Sequence, residues 1–521
     1  MRLILLATAA ALLATVPVVA QNRPSDAAEK HVEGNEDKAA ASAVEHAQPS
    51  RGSVAVGGRT IGYTVTPGTL TIRNDEGEPV ASMFYVAYVA DRAKGGAERP
   101  LTFAFNGGPG SSSMWLHMGS IGPVKVQVPG TGVEAGPPFR VGPNPDTILD
   151  KSDLVFIDAI GTGLSRPIGK AKGADFWGVD QDIDAFARGI IRYLTINDRW
   201  NSPKFLFGES YGTLRAAGLV YTLAERGVQS NGVVLLSSIL NYGVRQPGYD
   251  RIHLTLLPSY AATAWYHNRI PDRPATLEPF LSEVRAWTSG PYAAALEKGD
   301  DLPPAERDAI AQQMSAYTGL PADFLIKANL RVDLARFRKE LLRDQRRTVG
   351  RLDSRFTGID ADAAGDGPEY DATDVAITGP YVAALNHYLF GTLGYRTDLN
   401  YRPNFYAQIG GGRWDQKHRA PGGGNSGGGG TMALAATSLD LSAAMRRNPR
   451  LKVLSANGYY DFATPFGGAE YDLKHLGLEP ELRGNISYRY YPSGHMVYTN
   501  PDAARQFRTD FLAFIDEATR P

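Results

Sequence analysis

No cysteine occurs in the 521 residues, which excludes disulfides, thiol nucleophiles, Cys-ligated zinc and lipid attachment through an N-terminal cysteine. Covalent chemistry must then come from Ser, Thr, Lys or a carboxylate. Net charge is almost absent as well. Lys+Arg 54 against Asp+Glu 55 leaves −1, without the long-range field that a nucleic-acid binder or a basic membrane-surface protein would use. No internal repeat is visible. What the chain does have is 43% hydrophobic and 10% aromatic residues, enough for a sizeable core. Its length calls for one large domain with an insertion, or for two to three domains.

Arg2, the apolar run 3–19 and the small residues of Val18-Val19-Ala20 predict a signal peptide over 1–20, cleaved before Gln21. The expected location is periplasmic or secreted, with no stable membrane insertion after removal. Residues 21–50 are polar and charged and read as a disordered linker. Alternation in Arg59–Val65, Thr69–Arg73 and Ala81–Val89 predicts antiparallel strands at a sheet edge. The short apolar runs Leu101–Phe105, Leu154–Ile157, Lys204–Phe207, Val233–Leu236 and Val453–Ala456 read as buried parallel strands. Ile183–Leu194 and Leu214–Arg226 are helical stretches between them. The body is therefore α/β with a mostly parallel sheet, in two parts, 51–244 and 441–521. Between them, 245–440 reads as a helical insertion through Glu278–Trp287, Pro304–Tyr317 and Val332–Arg347, closed by the Gly-rich tract 422–430, a flexible connection.

Phe205 to Gly212 is a strand running into Gly-Glu-Ser-Tyr-Gly with a helix directly after it. This is the arrangement of a nucleophile elbow, in which glycines two residues either side of Ser210 permit a strained turn that lifts the hydroxyl out of the sheet. Such a fold needs an acid and then a histidine, each after a later strand. Asp461 follows the strand Leu451–Asn457, and His495 follows the strand Ile486–Tyr491. His495 is the candidate base for Ser210, and Asp461 the carboxylate that holds the imidazole tautomer. The backbone N–H of Tyr211 is one oxyanion donor, and the loop Asn106 to Gly110 after an early strand offers the other.

Asn-Gly-Gly-Pro-Gly-Ser-Ser-Ser at 106–113, Asp158 to Ser165, Gly208 to Gly212, Asp461 and Gly494-His495-Met496 together resemble the blocks of the serine carboxypeptidases of the α/β-hydrolase class, in their order. The likeness is to a bacterial-type member and spans about 80–515 without most of the insertion. It implies an α/β-hydrolase fold with a helical cap, hydrolysis of C-terminal peptide bonds, and Gly108 with Tyr211 as oxyanion donors. It also implies Asn106, Gly107 and Glu209 as binders of a substrate's free carboxylate. Ser111 stands where the family commonly has cysteine. Ser120 stands where it usually has a second acid, so the paired-carboxylate device is incomplete.

The expected function is a serine carboxypeptidase acting on peptides with a free C-terminus, without cofactor, metal or nucleic acid. An esterase or acyltransferase on the same triad is the alternative, and a catalytically silent surface interaction domain the third reading. Asp360 to Asp371 partly matches a calcium loop but reads as a solvated acidic loop. Arg336, Arg338, Lys339, Arg343, Arg346 and Arg347 read as a solvated helix face, and His117 as a packed side chain.

Overall fold

The computed structural model describes residues 41–92, 98–128, 136–246, 248–406, 413–421 and 430–520. The expected signal peptide, the first part of the expected linker and most of the Gly-rich tract lie outside the described residues. Nine strands, β1 (Ser50–Val56), β2 (Arg59–Arg73), β3 (Pro79–Ala90), β4 (Leu101–Phe105), β5 (Asp153–Ile157), β6 (Lys204–Glu209), β7 (Gly232–Leu236), β8 (Lys452–Gly458) and β9 (Ile486–Tyr491), form one sheet in the order β1-β2-β3-β5-β4-β6-β7-β8-β9. A tenth, two-residue strand, Arg166–Pro167, pairs with β3. β1, β2 and β3 are antiparallel, as is β3 to β5, and every later neighbour is parallel.

The two alternating runs read as separate strands are one strand, β2, which continues through Pro67. Proline lacks a ladder donor and is tolerated where a strand has a free edge. β1 stops opposite Val65, and the chain before it takes over, with Gln48 N–H donating to Pro67 O and Thr69 N–H to His46 O. Residues 41–49, expected within a disordered linker, are thus ordered along β2. Glu45 accepts from Arg192 at 2.8 Å and from Thr71 N–H at 3.0 Å, contacts that a low-hydrophobicity segment gains only from its neighbours in space.

β4 to β7 are buried along their whole lengths, as expected of strands covered on both faces. Phe103, Phe105, Leu206 and Val233 point to one face and meet the helices Val179–Ile196, Tyr211–Glu225 and Ser438–Arg447. Ala104, Phe205, Phe207 and Val234 point to the other and meet Phe507, Phe511 and Phe514 of the helix Pro501–Ala518. Truncating one such phenylalanine to alanine costs about 3 to 5 kcal/mol. The helix Ser438–Arg447 straddles the expected border at 440, yet its packing makes it part of the core.

The insertion has its own core, in which Tyr260 stacks on Phe337 at 3.8 Å and Phe462 meets both edge-on. Phe462 directly follows Asp461, so the insertion is joined to the loop carrying that acid. The helix expected over Val332–Arg347 ends at Glu340 and gives way to a strand, Arg347–Val349, paired with Thr357–Ile359. That turn corrects the solvated basic face. Arg336, Arg346 and Arg347 are exposed, but Lys339 is buried against Asp360 at 2.5 Å and Arg338 donates to Val349 O at 2.9 Å. Asp360 is therefore a buried ion-pair partner rather than a solvated acid, and Asp371 caps the helix Ala372–Asn386 by accepting from Thr373 N–H. Among the described residues no helix is long and apolar enough to cross a membrane.

Candidate active site

The chain leaves β6 at Glu209 and enters a helix at Tyr211, so Ser210 makes the whole turn, with φ 61 and ψ −130. A non-glycine residue held there stores strain of about 1 to 3 kcal/mol. The crossing is tight. A β-carbon on Gly208 would lie 2.0 Å from Gly212 O, which explains why this turn needs glycine at that position.

Asp461 and His495 lie past the carboxyl ends of β8 and β9, and the structure brings them together. His495 Nδ1 stands 2.8 Å from Asp461 Oδ2. Asp461 also accepts from Ala463 N–H, Thr464 N–H and the Thr464 hydroxyl at 2.8, 3.0 and 2.7 Å. Burial alone would raise the Asp461 carboxyl, but His495 and Thr464 outweigh it and hold it below its usual range. Burial alone would lower His495, but Asp461 outweighs it and raises the imidazole above its ordinary 6.5. The backbone of His495 is pinned on both sides, donating to Leu352 O at 2.6 Å and accepting from the Ser237 hydroxyl at 2.6 Å.

The loop after β4 lies against the elbow. A β-carbon on Gly107 would come within 2.4 Å of Tyr211 N, so only glycine allows this approach. Tyr211 N–H opens its helix and has no intrahelical carbonyl to reach, while Gly108 adopts φ 106. Arg215, fully buried, fastens the loop by donating to Asn106 O at 2.6 Å and to Asp182 at 2.7 Å. The Asn106 side-chain oxygen accepts from Leu116 N–H at 2.9 Å. The insertion holds the loop from outside, with Phe405 N–H on Gly110 O at 2.7 Å and Ser112 N–H on Pro403 O at 3.0 Å.

Asn106, Gly107, Gly108, Glu209, Ser210 and His495 line one cavity of about 700 Å³. A more open hollow of about 920 Å³ around Arg188 and Arg192 is remote from these residues. Glu209 accepts from the Tyr498 hydroxyl at 2.8 Å. Burial pushes its carboxyl up to about 7, against the opposing pull of His495 and Tyr498. Ser120, at the position where the family usually has a second acid, gives its hydroxyl to Leu116 O at 2.9 Å. His117 is packed as expected, stacked on Phe156 with its Nε2 2.6 Å from the Tyr88 hydroxyl, and burial holds it down to about 3.

Residues 64–271 match the model of the serine carboxypeptidase family. This stretch belongs to that family. The match supports a hydrolase of serine carboxypeptidase type. Among solved structures, a prohormone-processing carboxypeptidase from Saccharomyces cerevisiae is similar at 14% identity and a TM-score of 0.50, over 87% of this chain and 92% of that one. The likeness shows the α/β-hydrolase fold. A proline iminopeptidase from Mycobacterium smegmatis is similar at 13% identity and a TM-score of 0.35, over 86% and 98%. No curated protein matches the chain.

Several residues of the site were not read from the sequence. Thr464 carried a faint signal as a hydroxyl close behind the acid, and Arg215 as a lone arginine on the buried side of the helix after the elbow. Tyr498, which holds Glu209, carried none.

Proposed function

We propose that the protein is a serine carboxypeptidase that cleaves C-terminal peptide bonds through an acyl-enzyme on Ser210. With Nδ1 engaged by Asp461, Nε2 of His495 is the nitrogen that takes the Ser210 proton and later returns it to the leaving amine. Asp461 stabilises the imidazolium that forms. The N–H groups of Gly108 and Tyr211 hold the oxyanion, aided by the positive end of the helix that Tyr211 opens. Asn106, Gly107 and Glu209 receive the substrate's carboxylate, and Glu209 is protonated when it does so, since two carboxylates in contact cannot both stay ionised.

The observation that carries this reading is the His495–Asp461 contact at 2.8 Å facing the same cavity as the strained Ser210. The test uses a labelled fluorophosphonate together with one peptide in free-acid and amidated forms. Labelling abolished by Ser210→Ala, with cleavage of the free acid and not the amide, supports the reading. Absent labelling overturns it. An esterase or acyltransferase on the same triad is the second reading, favoured by the engagement of Ser120 away from the cavity. Equal turnover of acid and amide with faster turnover of esters would install it.

A further inference from the structure

Arg245, in the segment after β7, lines the cavity that holds Ser210 and His495. Its Nε and Nη2 are buried, and neither has a hydrogen-bond partner among the described residues. A guanidinium stays charged and carries five donors in a planar fork, so burying it with idle donors is costly unless something else occupies them. The fold makes room for it. Nη2 lies 2.7 Å from where a β-carbon of Gly468 would stand, so a larger residue there would displace the fork.

Two carboxylates act on Arg245 through their charge, Asp472 and Asp461, but neither hydrogen-bonds its Nε or Nη2. Asp461 is taken by His495 and Thr464. Asp472 accepts from Leu240 N–H at 2.9 Å through Oδ2, its Oδ1 is buried with no hydrogen-bond partner among the described residues, and burial pushes its carboxyl up to about 6 against the opposing pull of Arg245. Arg351, exposed on the insertion, lines the same cavity. With Arg245 it also borders an adjoining hollow of about 420 Å³ that reaches Ile252, Leu256 and Phe462. Asp371 and Asp374 share the cavity, but Asp371 is occupied by the N–H groups of Arg351, Leu352 and Thr373, and Asp374 by the Thr378 hydroxyl.

We propose that Arg245, with Arg351, forms a carboxylate subsite of the catalytic cavity. It binds an acidic side chain of the peptide flanking the scissile bond, which an arginine fork can grip through two parallel hydrogen bonds. This rests on the peptidase reading above and names its substrate class.

The test takes one peptide with Glu or Gln at each position flanking the scissile bond in turn, each with a free or an amidated C-terminus. kcat/KM is compared in wild type, Arg245→Gln and Arg351→Gln. Should Arg245→Gln not fold, Arg245→Lys, which keeps the charge but loses the fork, replaces it. The same peptides are also scored for protecting wild-type and variant Ser210 from fluorophosphonate, which reads binding even where no bond is cut. The expected result is a Glu-over-Gln preference of about tenfold in wild type that falls toward one in the variants, the scale of a charge-assisted contact. Collapse of the acid-over-amide ratio with an unchanged Glu preference overturns the side-chain subsite. Both ratios unchanged in the variants overturn the subsite. Cleavage of amides with an intact, arginine-dependent Glu preference keeps the subsite and removes the carboxypeptidase reading.

Discussion

The carboxylate of Asp353, in the insertion, accepts a hydrogen bond of 3.1 Å from the backbone N–H of Gly494, the residue before His495. Arg355 fixes that carboxylate through Nε at 2.9 Å and reaches past it to Pro492 O at 2.8 Å and the Ser493 hydroxyl at 3.1 Å. The insertion therefore does more than wall the cavity. It sets the position of the loop from which the imidazole projects.

Asp353→Ala is expected to lower kcat by about 10- to 100-fold with a smaller change in KM, because a displacement near 1 Å of a catalytic group has that effect. Asp353→Asn keeps an acceptor for Gly494 and recovers part of the loss. Both variants leave Arg355 buried beside a neutral side chain and lose stability, by up to about 3 to 5 kcal/mol for a broken buried pair. Steady-state kinetics with thermal melts separate the two effects, and normal kcat in Asp353→Ala would deny the brace.

Ser210→Ala and His495→Ala should each reduce kcat by several orders of magnitude while the melting temperature holds, and the double variant should be hardly worse than either, since triad members act as a unit. Asp461→Asn keeps a side-chain oxygen for Ala463 and Thr464 but presents an amide to His495, favouring the wrong tautomer. It is expected to cost about 10⁴-fold. Near-normal turnover in Asp461→Asn would remove it from the triad.

The parts that were legible in the sequence are those whose cause is local. β4 to β7 announce themselves as short apolar runs bounded by Gly, Asn or Asp because both faces of each are buried. Ser210, Asp461 and His495 stand directly after strands, where a parallel sheet collects its loops. The insertion was legible only as helical, because its core joins residues far apart in the chain. Nothing around Phe337 indicates that Tyr260 and Phe462 will meet it. Lys339 looked solvated because its partner, Asp360, comes 21 residues later, and a charge pattern on one helix carries no record of such a pair. The same holds for Tyr498, whose partner Glu209 is 289 residues away.

His418 lies between Asp180 and Asp440, at 2.6 and 2.7 Å, and ties the segment 413–421 to the helices Val179–Ile196 and Ser438–Arg447. Burial alone would lower its pKa, but the two carboxylates outweigh it and raise it to about 9. A folded pKa above the unfolded value means that the stabilisation is fully present below about 6.5 and is lost as pH rises through about 9. It is worth up to about 3 kcal/mol, less what burial costs Asp440, whose own carboxyl is raised. His418→Asn should therefore melt well below wild type at pH 6, and the gap should close by pH 9.5. A gap that stays constant across this range would show that packing, not charge, makes the difference.

Glu209 gives the last expectation, a pH dependence confined to one kind of substrate. Burial raises its carboxyl to about 7, so the protonated form that can donate to a substrate carboxylate is present below that pH and is lost above it. KM for a free-acid peptide should accordingly rise above pH 7, by up to about tenfold per unit, whereas an amidated peptide cleaved at a low rate should show little of this limb. Glu209→Gln carries a donor at every pH and keeps the hydroxyl of Tyr498 partnered, so it should extend cleavage of free-acid peptides to higher pH. Glu209→Ala strands that hydroxyl and removes the donor, at a cost of about 1 to 3 kcal/mol. Parallel profiles of kcat/KM for the acid and the amide in wild type and Glu209→Gln decide the matter. If the two substrates give identical profiles in wild type, Glu209 does not read the carboxylate, and its burial beside Ser210 then serves only to position Tyr498 and the oxyanion loop.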